Sequence, residues 1–249
     1  MTAALLVWFR FHGELNDFLP VERRDLEFDS MAGATDTLKH LIESLGVPHT
    51  EVDRVSVNGQ PRVLSEQVGA GDRIQVFPYQ PPVRIENIRF VVDGHLGRLA
   101  AYLRMLGFDT WYERGADDPQ LAGVANVEGR VLLTRDVGLL KRREVQFGYC
   151  VRSQKPHEQL REVARRFDLQ PHFTPFQRCM ACNGPLEPVA KAEVSHLLPP
   201  HTRETKTEFS RCCDCGKIFW RGSHHARMLG RIEDLTEQAD ELQHEQFQG

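Results

Sequence analysis

Two short apolar runs that each stop at an aspartate leave this chain few choices of fold. Phe90-Val91-Val92 ends at Asp93 and Val131-Leu132-Leu133 runs through Thr134-Arg135 to Asp136. Both runs are too short for free helices and branched enough at Cβ to read as buried parallel strands. Each aspartate then stands at the carboxyl end of its strand, where open α/β sheets collect their sites. Beyond Asp93, Leu96, Leu99, Leu103 and Leu106 repeat at helical spacing and present one apolar face. Gly107 follows as a helix stop. Strand-end carboxylates at Asp93 and Asp136, with the acidic turn Asp117-Asp118 between them in sequence, point to a divalent-metal site. A plainer reading stays open beside it, in which each aspartate caps the helix that follows.

The sharpest chemical signal lies further on. Cys179-Met180-Ala181-Cys182-Asn183 and Cys212-Cys213-Asp214-Cys215-Gly216 are two C-x-x-C knuckles. Asn or Gly directly after the second cysteine supplies a residue tolerant of left-handed backbone, which lets N–H groups turn toward the sulfurs. Four thiolates at this spacing close a tetrahedral structural zinc site, with Cys179, Cys182, Cys212 and Cys215 as ligands and Cys213 left over. Cys150 sits inside an apolar run and reads as a small buried hydrophobe. Paired cysteines of this kind fit a reducing, cytoplasmic setting better than a disulfide framework.

The remaining chain arranges itself around these two features. Residues 4–11 and 25–29 read as strands, Thr35–Leu45 as a helix capped by Thr35, and Val55–Val57 as a strand entering the Asn58-Gly59 hairpin turn, with Val63 on the return. Arg73–Phe77 is a last strand, and the set makes a β-grasp, ubiquitin-like module over residues 1–80. Pro-rich residues 79–83 are a stiff connector, implying that the module and the remainder have independent cores. Residues 84–170 alternate strand and helix as a three-layer α/β domain: strands at 110–112 and 146–151, a helix opened by Asp117-Asp118-Pro119, a helix 137–144 carrying Lys141-Arg142-Arg143, and a helix 156–167. Residues 171–230 form the zinc ribbon, continued by Ile218-Phe219-Trp220, with His224-His225 facing solvent or RNA. Residues 231–249 are an acidic, solvated tail. Net charge is −4 over 249 residues, acidic at both ends and modestly basic between, which permits a nucleic-acid partner. No apolar run is long enough for a membrane span, and Met1–Arg10 reads as a strand rather than a signal peptide.

With these residues in place, the order FVVDGHLGRLAAYLRMLGFDT, the Asp117-Asp118 turn, VLLTRD, RCMACNGPL and CGKIFWRGSH resembles the Mut-seven C-terminal RNase family. That family has a PIN-like nuclease domain with an appended zinc ribbon and, often, a ubiquitin-like domain in front. The resemblance covers residues 1–230. It implies a ribonuclease dependent on Mg²⁺ or Mn²⁺, with Asp93, Asp136 and one of Asp117 and Asp118 as catalytic carboxylates. Hard oxygen ligands suit either cation. Arg135, Lys141, Arg142 and Arg143 would hold flanking phosphates, and Phe219 and Trp220 offer stacking surfaces on a second RNA platform.

Two other classes compete. One is a non-catalytic RNA- or ribosome-binding adaptor that keeps the fold. The other, weaker, is a sulfur-transfer accessory protein, because the VNG turn and the GDRIQVFP strand resemble sulfur carriers of the ThiS/MoaD type. Those carriers end in a free Gly-Gly, whereas here Pro78-Tyr79-Gln80-Pro81-Pro82 runs on into the next domain. The ubiquitin-like module is therefore read as structural or as the site of a protein partner.

Overall fold

A computed structural model describes residues 4–222 and 228–230. The expected acidic tail at 231–249 and the pair His224-His225 lie outside the described residues.

The N-terminal sheet is built from β1 (Ala4–Phe11), β2 (Glu27–Gly33), β3 (Val52–Val57), β4 (Gln60–Arg62) and β5 (Arg73–Pro78), with helix α1 (Leu38–Ser44) between the second and third strands. The strand order is β2-β1-β5-β3-β4, with β1 and β5 parallel at the centre and the other pairs antiparallel. That is the β-grasp arrangement expected. Val7, Phe9 and Phe11 alternate inward from β1 and meet Leu38, Leu41 and Ile42 of α1 in one buried cluster. Asn58 and Gly59 both take positive φ, 51° and 79°, as a hairpin turn of this kind requires.

Three boundaries differ from the expected ones. Helix α1 is capped by Thr37, whose Oγ1 accepts the His40 N–H at 3.2 Å, not by Thr35. The preceding residues are spent in a turn closed by the Asp36 carboxylate, which accepts the Gly33 N–H at 2.7 Å. Strand β2 starts at Glu27 because Asp25 is held in left-handed backbone (φ 57°) by hydrogen bonds with Asn16. Val63 lies beyond β4 and is exposed.

The central region runs β6 (Phe90–Val92), α2 (Gly97–Met105), β7 (Thr110–Trp111), α3 (Asp118–Glu128), β8 (Val131–Thr134), α4 (Val137–Leu140), β9 (Gly148–Cys150) and α5 (Pro156–Arg166). β6 pairs with β7 and β8 with β9, both in parallel. Every residue of β6 and β8 is buried, as their unbroken apolar runs demand. The helix carrying the basic cluster is shorter than expected. It closes at Leu140, and Lys141-Arg142-Arg143 lie in the turn behind it.

The C-terminal ribbon is an antiparallel sheet of β10 (Leu186–Val189), β11 (Phe209–Cys212) and β12 (Ile218–Trp220). Between β10 and β11 stand two short helices, α6 (Lys191–Val194) and α7 (Pro200–Thr205), absent from the sequence reading. Val194 of α6 and Leu198, in the link between the two helices, pack on Phe209 as a small core.

By compactness the chain groups into two units, residues 1–83 with 116–152, and residues 84–115 with 153–249. In the first, the turn His49–Glu51 behind α1 docks on the segment 141–152. His49 bridges the Glu43 carboxylate (2.7 Å) and the Val145 carbonyl (2.9 Å). The Lys141 ammonium donates to the Glu43 carbonyl at 2.7 Å. Glu51, wholly buried, accepts the Cys150 N–H at 2.6 Å on the outer side of β9 and lies 3.7 Å from Arg152. The independence that the proline-rich connector suggests is thus not what the contacts show, because buried charge joins the β-grasp module to these residues.

Candidate functional site

Asp93 leaves the buried strand β6 half-exposed, and its side chain accepts the His95 N–H at 3.4 Å. A single 3-10 turn, Gly94–Leu96, intervenes before α2. The Tyr112 hydroxyl fastens this turn by donating to the Gly94 carbonyl at 3.1 Å. Gly97 makes room for that ring, since a Cβ there would stand 2.5 Å from the Tyr112 hydroxyl oxygen. Tyr112 is a shaping residue that strand periodicity could not reveal.

Asp136 is exposed at the exit of β8. Its Oδ1 accepts from Gly138 N–H (2.7 Å) and Leu139 N–H (3.2 Å), capping α4. The buried Thr134 hydroxyl accepts the Asp136 N–H at 2.9 Å, which fixes the backbone that presents the carboxylate. Asp117 caps α3 by accepting from Gln120 N–H at 2.9 Å, and Asp118 is the first residue of that helix. Asp117 and Asp136 therefore cap the helix that follows, as the plainer reading asks, whereas Asp93 caps the 3-10 turn and α2 itself starts after Leu96 without a side-chain cap. Capping occupies one carboxylate oxygen of Asp136, so it does not by itself decide against a metal role.

The basic residues differ from one another. Arg135 and Arg143 are exposed, Arg142 lies 3.9 Å from Glu144, and Lys141 is spent on the Glu43 carbonyl. Burial lowers the pKa of Lys141 while Glu43 opposes the shift.

Among the described residues, one group of three or more Cys, His, Asp and Glu side chains gathers its ligand atoms closely enough for a metal ion: Cys179, Cys182, Cys212 and Cys215, all within 4.8 Å of one another. The Cys179–Cys215 and Cys182–Cys212 sulfur separations are 3.7 and 3.4 Å. Four sulfurs about 2.3 Å from a zinc stand about 3.8 Å apart, so the set fits that ion. None of Asp93, Asp117, Asp118 and Asp136 belongs to such a group. Asn183 and Gly216 take positive φ, 75° and 72°, at the two positions expected to do so. Burial raises the Cys179 pKa, against the lowering effect of the nearby Cys182 and Ala181 N–H groups. Cys215 is lowered to about 7, first by the Lys217 N–H and then by the Cys182 thiol. Cys213 stays outside the cluster, and Cys150 is buried in β9.

Phe219 and Trp220 line a groove of about 560 Å³ on the ribbon, together with Phe176, Arg178, Lys191 and Arg221. They do not belong to the ribbon's buried core. No helix among the described residues is long and apolar enough to cross a membrane.

The family described as the Mut7-C RNAse domain matches residues 88–232, and the one described as Mut7-C ubiquitin matches residues 4–84. A human protein named exonuclease mut-7 homolog is 26% identical over 237 residues, covering 64% of this chain and 27% of the relative. The chain thus spans about a quarter of that protein's length. Among solved structures, SAMP1 from Haloferax volcanii matches at 16% identity and a TM-score of 0.25, over 30% of this chain and 97% of the other. L-proline dehydrogenase from P. horikoshii matches at 12% identity and a TM-score of 0.19, over 54% and 25%.

Proposed function

This chain belongs to the Mut7-C RNAse domain family, with a Mut7-C ubiquitin domain ahead of it, and from that membership we propose that it is a metal-dependent ribonuclease. The observation that carries the reading is the family match over residues 88–232, which includes both buried strands whose exits carry Asp93 and Asp136. In this reading the central region is PIN-like, and Asp93, Asp136 and one of Asp117 and Asp118 bind Mg²⁺ or Mn²⁺. Such an ion, when bound, lowers the pKa of an attached water and offsets phosphate charge. The chain's own residues do the rest. Tyr112 and Thr134 hold the two strand-exit turns in shape. The exposed Arg135 and Arg143 take flanking phosphates. The four cysteines hold a structural zinc, and the groove beside Phe219 and Trp220 gives unpaired bases a surface to stack on. The β-grasp module serves a protein partner, and the setting is cytoplasmic.

One observation favours the adaptor reading instead: each capping aspartate is already engaged by backbone N–H groups, and none joins a close ligand group among the described residues. Incubating pure protein with mixed cellular RNA in Mn²⁺, Mg²⁺ or EDTA separates the two. Metal-dependent shortening of the RNA supports the ribonuclease. Salt-sensitive binding with no cleavage under any condition supports the adaptor.

A further inference from the structure

Arg104 lies on α2, is 3% exposed, and points its guanidinium at the first cysteine knuckle. Nη1 donates to the Ala181 carbonyl at 2.9 Å and the Met180 carbonyl at 3.3 Å, while Nε donates to the Thr110 carbonyl at 2.9 Å. Met180 and Ala181 are the two residues between Cys179 and Cys182. Their carbonyls belong to the same peptide planes as the N–H groups of Ala181 and Cys182. In a trans peptide the C=O and N–H point opposite ways. A cation gripping both carbonyls therefore fixes both peptide planes between the two ligands, with their N–H groups turned away from the guanidinium.

Charge gives a second, independent reason. Four thiolates around Zn²⁺ carry a net charge of −2, which a partly buried site must offset. The Arg104 guanidinium is buried against the knuckle that carries two of those thiolates, held there by the Met180 and Ala181 carbonyls. Asn183 secures the same knuckle to the end of α2's loop. Its Oδ1 accepts the Thr110 N–H at 3.0 Å and its Nδ2 donates to Asp109 at 2.7 Å.

We propose that Arg104 is a positioning residue for the zinc centre: its guanidinium fixes the two peptide planes between Cys179 and Cys182, and its charge balances the thiolate cluster. The inference rests on the zinc reading of the four cysteines. It also ties the metal to α2, the helix that follows Asp93, so the ribbon and that helix share one anchor.

The test uses the full chain. Zinc affinity is measured by competition with a chromophoric chelator, at a temperature where each variant keeps its native circular dichroism, and Co²⁺-substituted protein supplies a ligand-field spectrum. Outer partners of metal ligands commonly set affinity by about 10–100-fold, so Arg104→Met should weaken zinc by that range and shift the Co²⁺ bands. Arg104→Lys keeps a charge but lacks the fork and should weaken zinc by roughly tenfold, at the low end of the same range. Arg211→Met, on an exposed ribbon position, should bind as wild type. A role confined to packing would lower stability without moving the Co²⁺ spectrum of the folded protein. Wild-type zinc affinity and an unchanged spectrum in folded Arg104→Met, or in Arg104→Lys if the first does not fold, overturn the proposal. Wild-type protein that binds neither zinc nor Co²⁺ overturns the zinc reading itself, and this inference with it.

Discussion

Glu51 offers the severest test of how the N-terminal module is fastened. Its side chain has no exposure, takes the Cys150 N–H at 2.6 Å, and lies 3.7 Å from Arg152. Burial works against the Arg152 charge, but Glu51, then Tyr149 and Glu14, hold its pKa above the ordinary arginine value. Stranding one member of a buried ion pair costs about 3–5 kcal/mol. Arg152 would not be wholly stranded, since Asp17 stands 3.2 Å away, Glu14 stands 4.0 Å away, and a quarter of its side chain is exposed. The other loss falls on the Cys150 N–H, whose missing acceptor costs about 1–3 kcal/mol. Together these place Glu51→Ala at about 3 kcal/mol of lost stability. Glu51→Gln keeps an acceptor for Cys150 and should lose about 1–2 kcal/mol. Urea unfolding followed by circular dichroism reads both, with the slope unchanged if the native state stays compact. A Glu51→Ala protein within about 0.5 kcal/mol of wild type, the range of an ordinary surface change, would refute the buried-anchor account.

Four further outcomes follow. Removing residues 1–83 should give a remainder that aggregates or unfolds at lower urea, because Lys141, Val145, Cys150 and Arg152 lose their partners; an equally stable soluble fragment, checked by the same unfolding curve, would contradict this. Metal analysis of protein purified without chelator should find one zinc per chain, lost in Cys182→Ser and kept in Cys213→Ser. Stripping that zinc should abolish hydrogen-exchange protection in Phe209–Cys212 before it affects Val7–Phe11, since structural zinc contributes directly to folding of its own segment. Thr134→Val should lower any cleavage while keeping RNA affinity, because the Asp136 backbone loses its hydroxyl acceptor, and equal rates in a cleavage assay would remove Thr134 from the account.

Much of this was legible because it depends on local rules. Val131–Leu133 had to be a buried strand, Asn58-Gly59 had to turn, and the residues after Cys182 and Cys215 had to tolerate left-handed backbone; each does so. What escaped depends on partners distant in sequence. Nothing near Glu51 announces that a carboxylate will be buried against a strand edge 99 residues on. The basic run Lys141-Arg142-Arg143 reads as a helix face, yet the helix stops at Leu140 and Lys141 reaches the Glu43 carbonyl instead. Arg104 carried a faint signal. It lies four residues after buried Ala100, on the face of α2 that Leu99 and Leu103 bury, where an arginine needs a reason. The short helices between the knuckles, at Lys191–Val194 and Pro200–Thr205, are too brief for periodicity to show.

The central claim is that strand-exit carboxylates do chemistry and not only capping. Single-turnover cleavage of a defined single-stranded RNA in saturating Mn²⁺, by wild type and by Asp136→Asn at matched stability, tests it most directly. Asn caps a helix about as well as Asp, so the substitution should leave unfolding and salt-dependent RNA binding as they were. The rate should fall by roughly a hundredfold or more, the scale of losing one group that stabilises developing charge. Full activity in Asp136→Asn, or wild-type cleavage that EDTA does not affect, would contradict it.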